Sequence, residues 1–277
     1  SETPEACDGD ATADGESLLS EDVANDNLEP ETADTWGFGL LWSPSDRIDV
    51  TADYWSIRYE TVIGIDEDDF IRRALLGEYP VVGGGELLTG TPGLEVENGF
   101  VIDAHFELSN LGFQDISGID LTYTQDIPFE NSTLTLLADA TYLIEYLRKS
   151  SPASPAIDEA GEYLYPEWLA SFKARYSIGN WDMSLRARYT DSYKDDPAPR
   201  TLDALDIPRG TIIYVDSWLV WDANVAYNFT DYNFLSLNVR NLLDEEPPLV
   251  LGTSANVDQI NHSSMGRFIT LRYTHRF

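Results

Sequence analysis

The sequence predicts an all-β chain: nine strands of a transmembrane, antiparallel, up-and-down β-barrel. Three observations carry that prediction. Nine segments alternate apolar and polar residues with period two, tight turns alternate with long loops between them, and the chain closes on a strand with one apolar and one cationic face. A wall between lipid and water needs two-faced strands, with short turns on one side of the membrane and longer loops on the other.

In chain order the alternating segments cover residues 36–42, 48–63, 116–125, 132–147, 167–178, 181–194, 217–229, 234–243 and 266–277. Several exceed the roughly 5–6 residues usual for strands of soluble proteins. The apolar faces read Trp36/Phe38/Leu40/Trp42, Ile119/Leu121/Tyr123, Leu134/Leu136/Ala138/Ala140/Tyr142, Met183/Leu185/Ala187/Tyr189 and Leu219/Trp221/Ala223/Val225/Tyr227/Phe229. Opposite them stand Asp120/Thr122/Thr124, Asp182/Ser184/Arg186/Arg188 and Asp222/Asn224/Asn228. The last strand carries Ile269, Leu271, Tyr273 and Phe277 on one face and Thr270, Arg272, Thr274 and Arg276 on the other. Taken alone, that strand also fits the end of a soluble β-domain. The connections decide against it, because a soluble sandwich has no reason to place every long loop at one end. Short turns at 43–47, 127–131, 179–180 and 230–233 alternate with long segments at 64–115, 148–166, 195–216 and 242–265. Trp42, Phe129, Trp181, Phe229, Phe234 and Phe277 fall at the tight-turn ends, and Trp36, Trp168, Trp218 and Phe268 at the loop ends. Two aromatic bands at the headgroup levels are the expected arrangement.

Composition fits this reading and narrows the function. No run of about 18 apolar residues exists, which excludes a membrane helix but not a barrel. A net charge of −32 argues against nucleic-acid binding, which needs basic surface. Residues 1–34 hold twelve acids and no Lys or Arg, and residues 64–112 hold ten acids against Arg72 and Arg73. Acids thus gather between the strands, where they solvate loops. The single cysteine, Cys7, has no partner within the chain.

Specific strings add a resemblance. The run from Asn27 to Glu31 (NLEPE) leads into the first strand, and Asn241-Leu242-Leu243-Asp244-Glu245-Glu246-Pro247 precedes the last long loop, with Leu243 where Phe is common. With Ile48–Ile57, Ser117–Asp120 and the ending from Arg267 to Phe277, these motifs resemble, in the same order, the carboxy-terminal half of TonB-dependent outer-membrane receptors. The resemblance covers residues 27–277 and implies the last nine strands of a plugged barrel of roughly 22. On that reading residues 1–34 are an acidic extracellular loop, residues 35–277 are barrel, and the four long segments are extracellular loops. Ile269, Leu271, Tyr273 and Phe277 would be the signal read by the barrel assembly machinery. On that reading the sequence is expected to hold neither the plug, nor the plug's short energy-coupling segment, nor a signal peptide. The partners implied are a plug and further strands from the same protein or a separate chain, a TonB-type energy-coupling protein, membrane lipid and a small-molecule ligand. Transport into a bacterial cell across the outer membrane would need no cofactor. An iron–siderophore complex is the default solute, with oligosaccharide uptake by the same family, or a passive porin-like or structural half-barrel, as alternatives.

Two groups of residues are candidates for ligand contact. Strand parity places Lys173, Arg175, Arg186, Arg188, Arg240, Arg272 and Arg276 on the polar, lumenal face, where guanidinium forks can bind carboxylates or phosphates. They would either guide an anionic solute or pair with plug carboxylates and with Asp182 and Asp222. Tyr163, Tyr165, Trp168, Tyr193 and Tyr214 cluster toward the loop rim, where rings can stack on a ligand or simply pack the loops. Asp66–Leu76 reads as a short loop helix, acids first and arginines after, as the helix dipole favours. Asp8–Gly15 lacks the third acid, the turn glycine and the final Glu of a calcium loop, and the three histidines lack metal-ligand spacing. His262 beside Ser263 and Ser264 is the one opening for hydrolytic chemistry, and no orienting acid is evident.

Overall fold

The computed structural model describes residues 19–85, 87–149 and 154–276. Phe277, Cys7 and the Asp8–Gly15 segment therefore lie outside the described residues. Nine long strands follow one another in sequence order across one sheet, each hydrogen-bonded to the next: β1 Thr32–Ser45, β2 Ile48–Glu60, β3 Phe113–Pro128, β4 Ser132–Arg148, β5 Trp168–Ile178, β6 Trp181–Thr190, β7 Trp218–Thr230, β8 Asn233–Arg240 and β9 Phe268–His275. This is an antiparallel up-and-down sheet, part of a barrel. Each expected strand is present, with ends shifted by a few residues.

Register shows why these sequences make a wall. Leu136, Ala174, Leu185, Ala223, Val239 and Ile269 lie side by side across β4 to β9, and Leu134, Tyr176, Met183, Val225, Leu237 and Leu271 form the next row. Ile269 and Leu271 are 60% and 66% exposed. An apolar field that crosses six strands is far larger than the patches water tolerates, and it matches a lipid-facing band. The alternate rows are polar: Thr135, Arg175, Ser184, Asn224, Asn238 and Thr270, then Lys173, Arg186 and Asp222.

The turns hold this register. β5 and β6 are joined by a two-residue hairpin whose Gly179 has φ 53°, a value glycine adopts without a steric penalty. Between β7 and β8 the Thr230 hydroxyl accepts hydrogen bonds from the Tyr232 and Asn233 amides, next to a bulge at Asn228/Thr230. On the polar face of β3, a Cβ at Gly118 would lie 2.5 Å from the Trp55 ring and 2.8 Å from the Tyr142 carbonyl. Glycine there lets the indole lie against the strand.

Three aromatics depart from the expected bands. Trp181 and Tyr227 pair at the tight-turn end, with centroids 4.6 Å apart, and Tyr142 stacks on Trp168 at the loop end, also at 4.6 Å. Trp218, Phe234 and Phe268, however, stand opposite Thr190, Thr274 and Arg240, so they belong to the polar rows. Distance along the strand suggested a girdle; parity puts them on the other face.

The contacts divide the described residues into two compact units, one drawn from 19–35, 57–115 and 147–158 and the other from the remainder. Within the first unit, residues 64–115 are more than the expected loop. Strands Leu19–Val23, Phe100–Glu107, Gly93–Glu97 and Val81–Val82 make a small mixed sheet in that order. Leu19–Val23 is thus a strand inside the segment expected to be an acidic loop. The predicted helix is α1, Glu67–Leu75, with the Asp66 carboxylate accepting from the Asp69 amide at 2.9 Å as N-cap. Its Phe70 and Ala74 pack on Leu94, Ala104 and Phe106, and Tyr79 stacks on Phe70. The NLEPE segment is tied into the same unit: Glu31 accepts from the Ile63 amide, the Pro30 carbonyl accepts from Thr61, and Asn110 bonds both the amide and the carbonyl of Glu29.

Leu271→Arg, which puts a charge into the apolar field, is expected to cost about 2–4 kcal/mol if it lies near mid-membrane and to deplete the heat-modifiable, assembled protein seen by electrophoresis. Thr270→Arg, one residue away on the polar face, should leave that amount unchanged. Equal losses would reverse the assignment of the faces.

Candidate functional site

The polar face carries its cations in two states. Arg175 donates from Nε to Asp182 at 2.7 Å, and Ser177 donates to the same oxygen at 2.9 Å. Arg188 forks onto Asp222 at 2.9 and 3.3 Å, and the Asn241 amide also donates to Asp222, at 2.9 Å. Arg186 is steadied by a hydroxyl instead, donating to Ser171 at 3.1 Å. Lys173, Arg240 and Arg272 meet no carboxylate among the described residues. Arg276 lies over the Phe234 ring, 5.6 Å from its centroid, near the tight turn. The pairing expected with Asp182 and Asp222 therefore occupies two of the seven bases.

Three of them surround a cleft at the loop ends of β6, β7 and β8. It encloses about 340 Å³ between Arg186, Arg188, Asp222 and Arg240 on the strands and Asn241 and Ser263 on the last long loop. A second hollow of about 280 Å³ shares Arg186, Arg188 and Trp218 and adds Asp139, Thr141 and Asn261. With Arg188 and Asp222 offsetting each other, the larger cleft retains the charges of Arg186 and Arg240. Such a surface suits an anion with separated oxygens, each able to take one forked pair.

The motif after β8 explains how the loop reaches the cleft. Asn241 has φ 50° and closes a turn on itself, its side chain donating to the Glu245 carbonyl and accepting from the Glu245 amide, both at 2.8 Å. Asp244, also at positive φ, accepts from the Arg267 amide at 2.6 Å. The two ends of the loop are thereby pinned above neighbouring strands.

The aromatic residues expected at the rim sit in different surroundings. Tyr193 is 1% exposed and packs with Val215, Val250 and Tyr163 in a loop core. Its hydroxyl donates to Asp258 at 2.6 Å, so no ring face is left for a ligand. Burial and then the Asp258 carboxylate push that hydroxyl well above the usual tyrosine range. Burial works against ionised Asp258, but donors from Tyr193, Asn261 and the Ile260 and Asn261 amides outweigh it and hold the carboxyl below its ordinary range. Tyr165 meets Tyr146 edge-on, and Trp168 stacks on Tyr142. Tyr214 is 57% exposed. Sequence inspection passed over Asp258 and Asp195, which organise this core. Asp195 accepts from the Leu251 and Gly252 amides at 2.6 and 3.0 Å, and Asn261 bridges Asp258 to the Leu164 carbonyl.

His262 is buried against the edge of Trp218 and parallel to Tyr193. Its ring nitrogens meet neither Ser263, Ser264 nor a carboxylate, so the geometry of a nucleophile and its base is not formed. Among the described residues, no three His, Cys, Asp or Glu side chains converge on a point that would hold a metal ion.

Comparison with known proteins agrees with this architecture. A family model described as TonB dependent receptor-like, beta-barrel, matches residues 10–242. Solved structures share the fold: the siderophore receptor PirA from Acinetobacter baumannii (TM-score 0.58, 17% identity, covering 90% of this chain and 32% of that one), the outer membrane transporter YddB from Escherichia coli (0.61, 12%, 94% and 35%) and the FrpB iron transporter from Neisseria meningitidis (0.56, 11%, 94% and 32%). The chain thus spans about a third of the length of these structures. No curated protein matches it by sequence.

Tyr193→Phe keeps the ring but removes one donor from buried Asp258, a change expected to cost the loop core about 1–3 kcal/mol. Limited proteolysis should then cut within residues 195–216 and 242–265 sooner than in the parent, while the strands melt unchanged. Unaltered cleavage would show that the Asp258 node does not hold the loops.

Proposed function

The chain belongs to the TonB-dependent receptors, as a stretch of their β-barrel, and on that premise we propose that it forms the ligand-facing wall of a transporter that imports a scarce solute. Members of this family are bacterial outer-membrane proteins. The solute moves without a bond being made or broken, and the energy comes from a TonB-type protein acting through a plug. Plug and further strands are supplied by the rest of the same protein or by a separate chain. The edges of β1 and β9 are where those strands pair, because an unpaired edge in lipid leaves backbone groups unsatisfied at several kcal/mol each. The barrel assembly machinery reads the apolar face of β9, with Ile269, Leu271, Tyr273 and Phe277 as its signal. The four long segments, 64–115, 148–166, 195–216 and 242–265, face the cell exterior, as does the acidic run before β1.

The observation that carries the reading of the path is the excess of cations around the cleft in a protein of net charge −32. Lys173, Arg186, Arg240 and Arg272 provide a track for an anionic solute, while Arg175 and Arg188 are held by their aspartates. Structural neighbours described as a siderophore receptor and an iron transporter support an iron–siderophore complex as the default. Exposed Tyr214 leaves an oligosaccharide as the second reading, since a ring face can stack on a sugar.

Reversing the two cleft arginines that lack carboxylate partners, Arg186→Glu with Arg240→Glu, should lower uptake of a ferric siderophore by the intact receptor about tenfold, equivalent to about 1.4 kcal/mol, with assembly unchanged. Normal uptake by fully assembled protein would reject the anion path.

A further inference from the structure

The segment beside the cleft hangs between two carboxylate anchors: Asp258, which accepts from the Ile260 and Asn261 amides and from the Asn261 side chain, and Asp244, which accepts from the Arg267 amide. Residues 259–266 are exposed except for Asn261, which is half-buried, and His262, which is 6% exposed. Ser263, Met265 and Gly266 of this segment line the cleft opposite Arg186, Arg188 and Arg240. His262 is buried between Trp218, nearly perpendicular to it with ring centroids 5.3 Å apart, and Tyr193, nearly parallel to it at 6.1 Å. Trp218 cannot swing away, since its Nε1 donates to the Glu246 carbonyl. Among the described residues neither imidazole nitrogen has a hydrogen-bond partner. An imidazole buried this way is accommodated as an apolar ring and has nothing to receive a second N–H if it gains a proton.

We propose that residues 262–266, between those two anchors, form a proton-released flap beside the arginine cleft, closed while His262 is neutral and freed when it is protonated. The groups around the ring set the direction. Asp258, one turn away in its own loop, favours the charged form; Tyr193, its hydroxyl held by Asp258, and Trp218 offer it nothing. Burial dominates and lowers the His262 pKa, with Asp258 opposing. In the released flap the ring returns to an ordinary pKa of about 6.5. Closure is therefore fully favoured above that value. As pH falls below it, the open form takes up a proton that the closed form refuses, and the open-to-closed ratio rises about tenfold per pH unit until the closed-state pKa is reached. The ligand-path role of the cleft rests on the function proposed above; the flap's release does not depend on it.

A spin label at Ser264→Cys in the intact receptor, with Cys7→Ser, reads the flap directly. The expected spectrum is restrained at pH 7.5 and shifts toward the mobile component as the pH falls through about 6.5. His262→Phe, which fills the slot but cannot titrate, should remain restrained throughout. A parent spectrum that does not change with pH, or a transition that persists in His262→Phe, overturns the proposal. Should the phenylalanine variant fail to assemble, His262→Leu, which is apolar and equally unable to titrate, takes its place: the label must stay restrained at every pH, and a transition that persists overturns the proposal. Arg240→Gln should weaken citrate binding, measured by calorimetry, while leaving the label's transition in place. Unaltered citrate binding would count against the ligand path alone.

Discussion

Backbone hydrogen bonding is the constraint from which the rest of this wall follows. No water is available in hydrocarbon to satisfy an N–H or a C=O, so a spanning chain must pair those groups internally. Nine strands in sequence order, each bonded to its predecessor, meet that requirement through the sheet except along its two edges. Period-two geometry then settles the side chains: once Leu271 lies opposite Leu237, every other residue across β4 to β9 is committed to lipid and its neighbour to the polar face. A one-residue slip would bring the arginines into contact with acyl chains. The short turns, with Gly179 and Thr230 at their corners, hold the register against that outcome.

The polar face is therefore where function can vary, and its chemistry depends on which charges are already compensated. Asp182 and Asp222 are placed by register beside guanidinium groups and hold two of them in fixed orientation. The acids that make the chain so negative lie largely outside the wall strands, where they cannot neutralise it. On β5 to β9 the polar face carries more cations than acids, and low-dielectric walls focus the field of the few uncompensated charges, which is the physical basis of the anion path proposed above. The long loops act at the same place: Asn241 and Asp244 turn the last one so that Ser263 comes to lie across from Arg186.

Periodicity made the wall legible, and it failed where long-range contact rather than pattern sets the outcome. The strands and their order, the alternation of turns and loops, the parity that puts the arginines on the polar rows, and helix α1 could all be read from local sequence. The small sheet around Phe106 could not, since its strands are short and Leu19–Val23 joins it from far upstream in the chain, pairing with Phe100–Glu107. Tyr193 looked like a rim aromatic because its partner Asp258 is 65 residues away. Trp218 looked like a girdle residue because its position along the strand was weighed ahead of its parity. The cleft was half visible: its guanidinium groups lie on strands, but its roof comes from a loop whose path is set by the turn at Asn241.

The loop core shows how this wall can combine rigidity with release. Asp258 and Asp195 hold the loops with charge-assisted hydrogen bonds to a buried hydroxyl and to backbone amides, interactions about twice as strong as neutral ones. Each carboxylate is saturated with donors, so the core around Tyr193, Val215 and Val250 gains nothing by opening. Residues 262–266 hang from that core by contacts of a different kind, a buried imidazole and the His262 amide, which donates to the Asp258 carbonyl. A strong node beside a weak attachment confines motion to the segment that faces the arginines and leaves the neighbouring strands in register. The same division holds across the sheet, where saturated backbone ladders keep the wall rigid and uncompensated side chains on one face remain free to meet a solute.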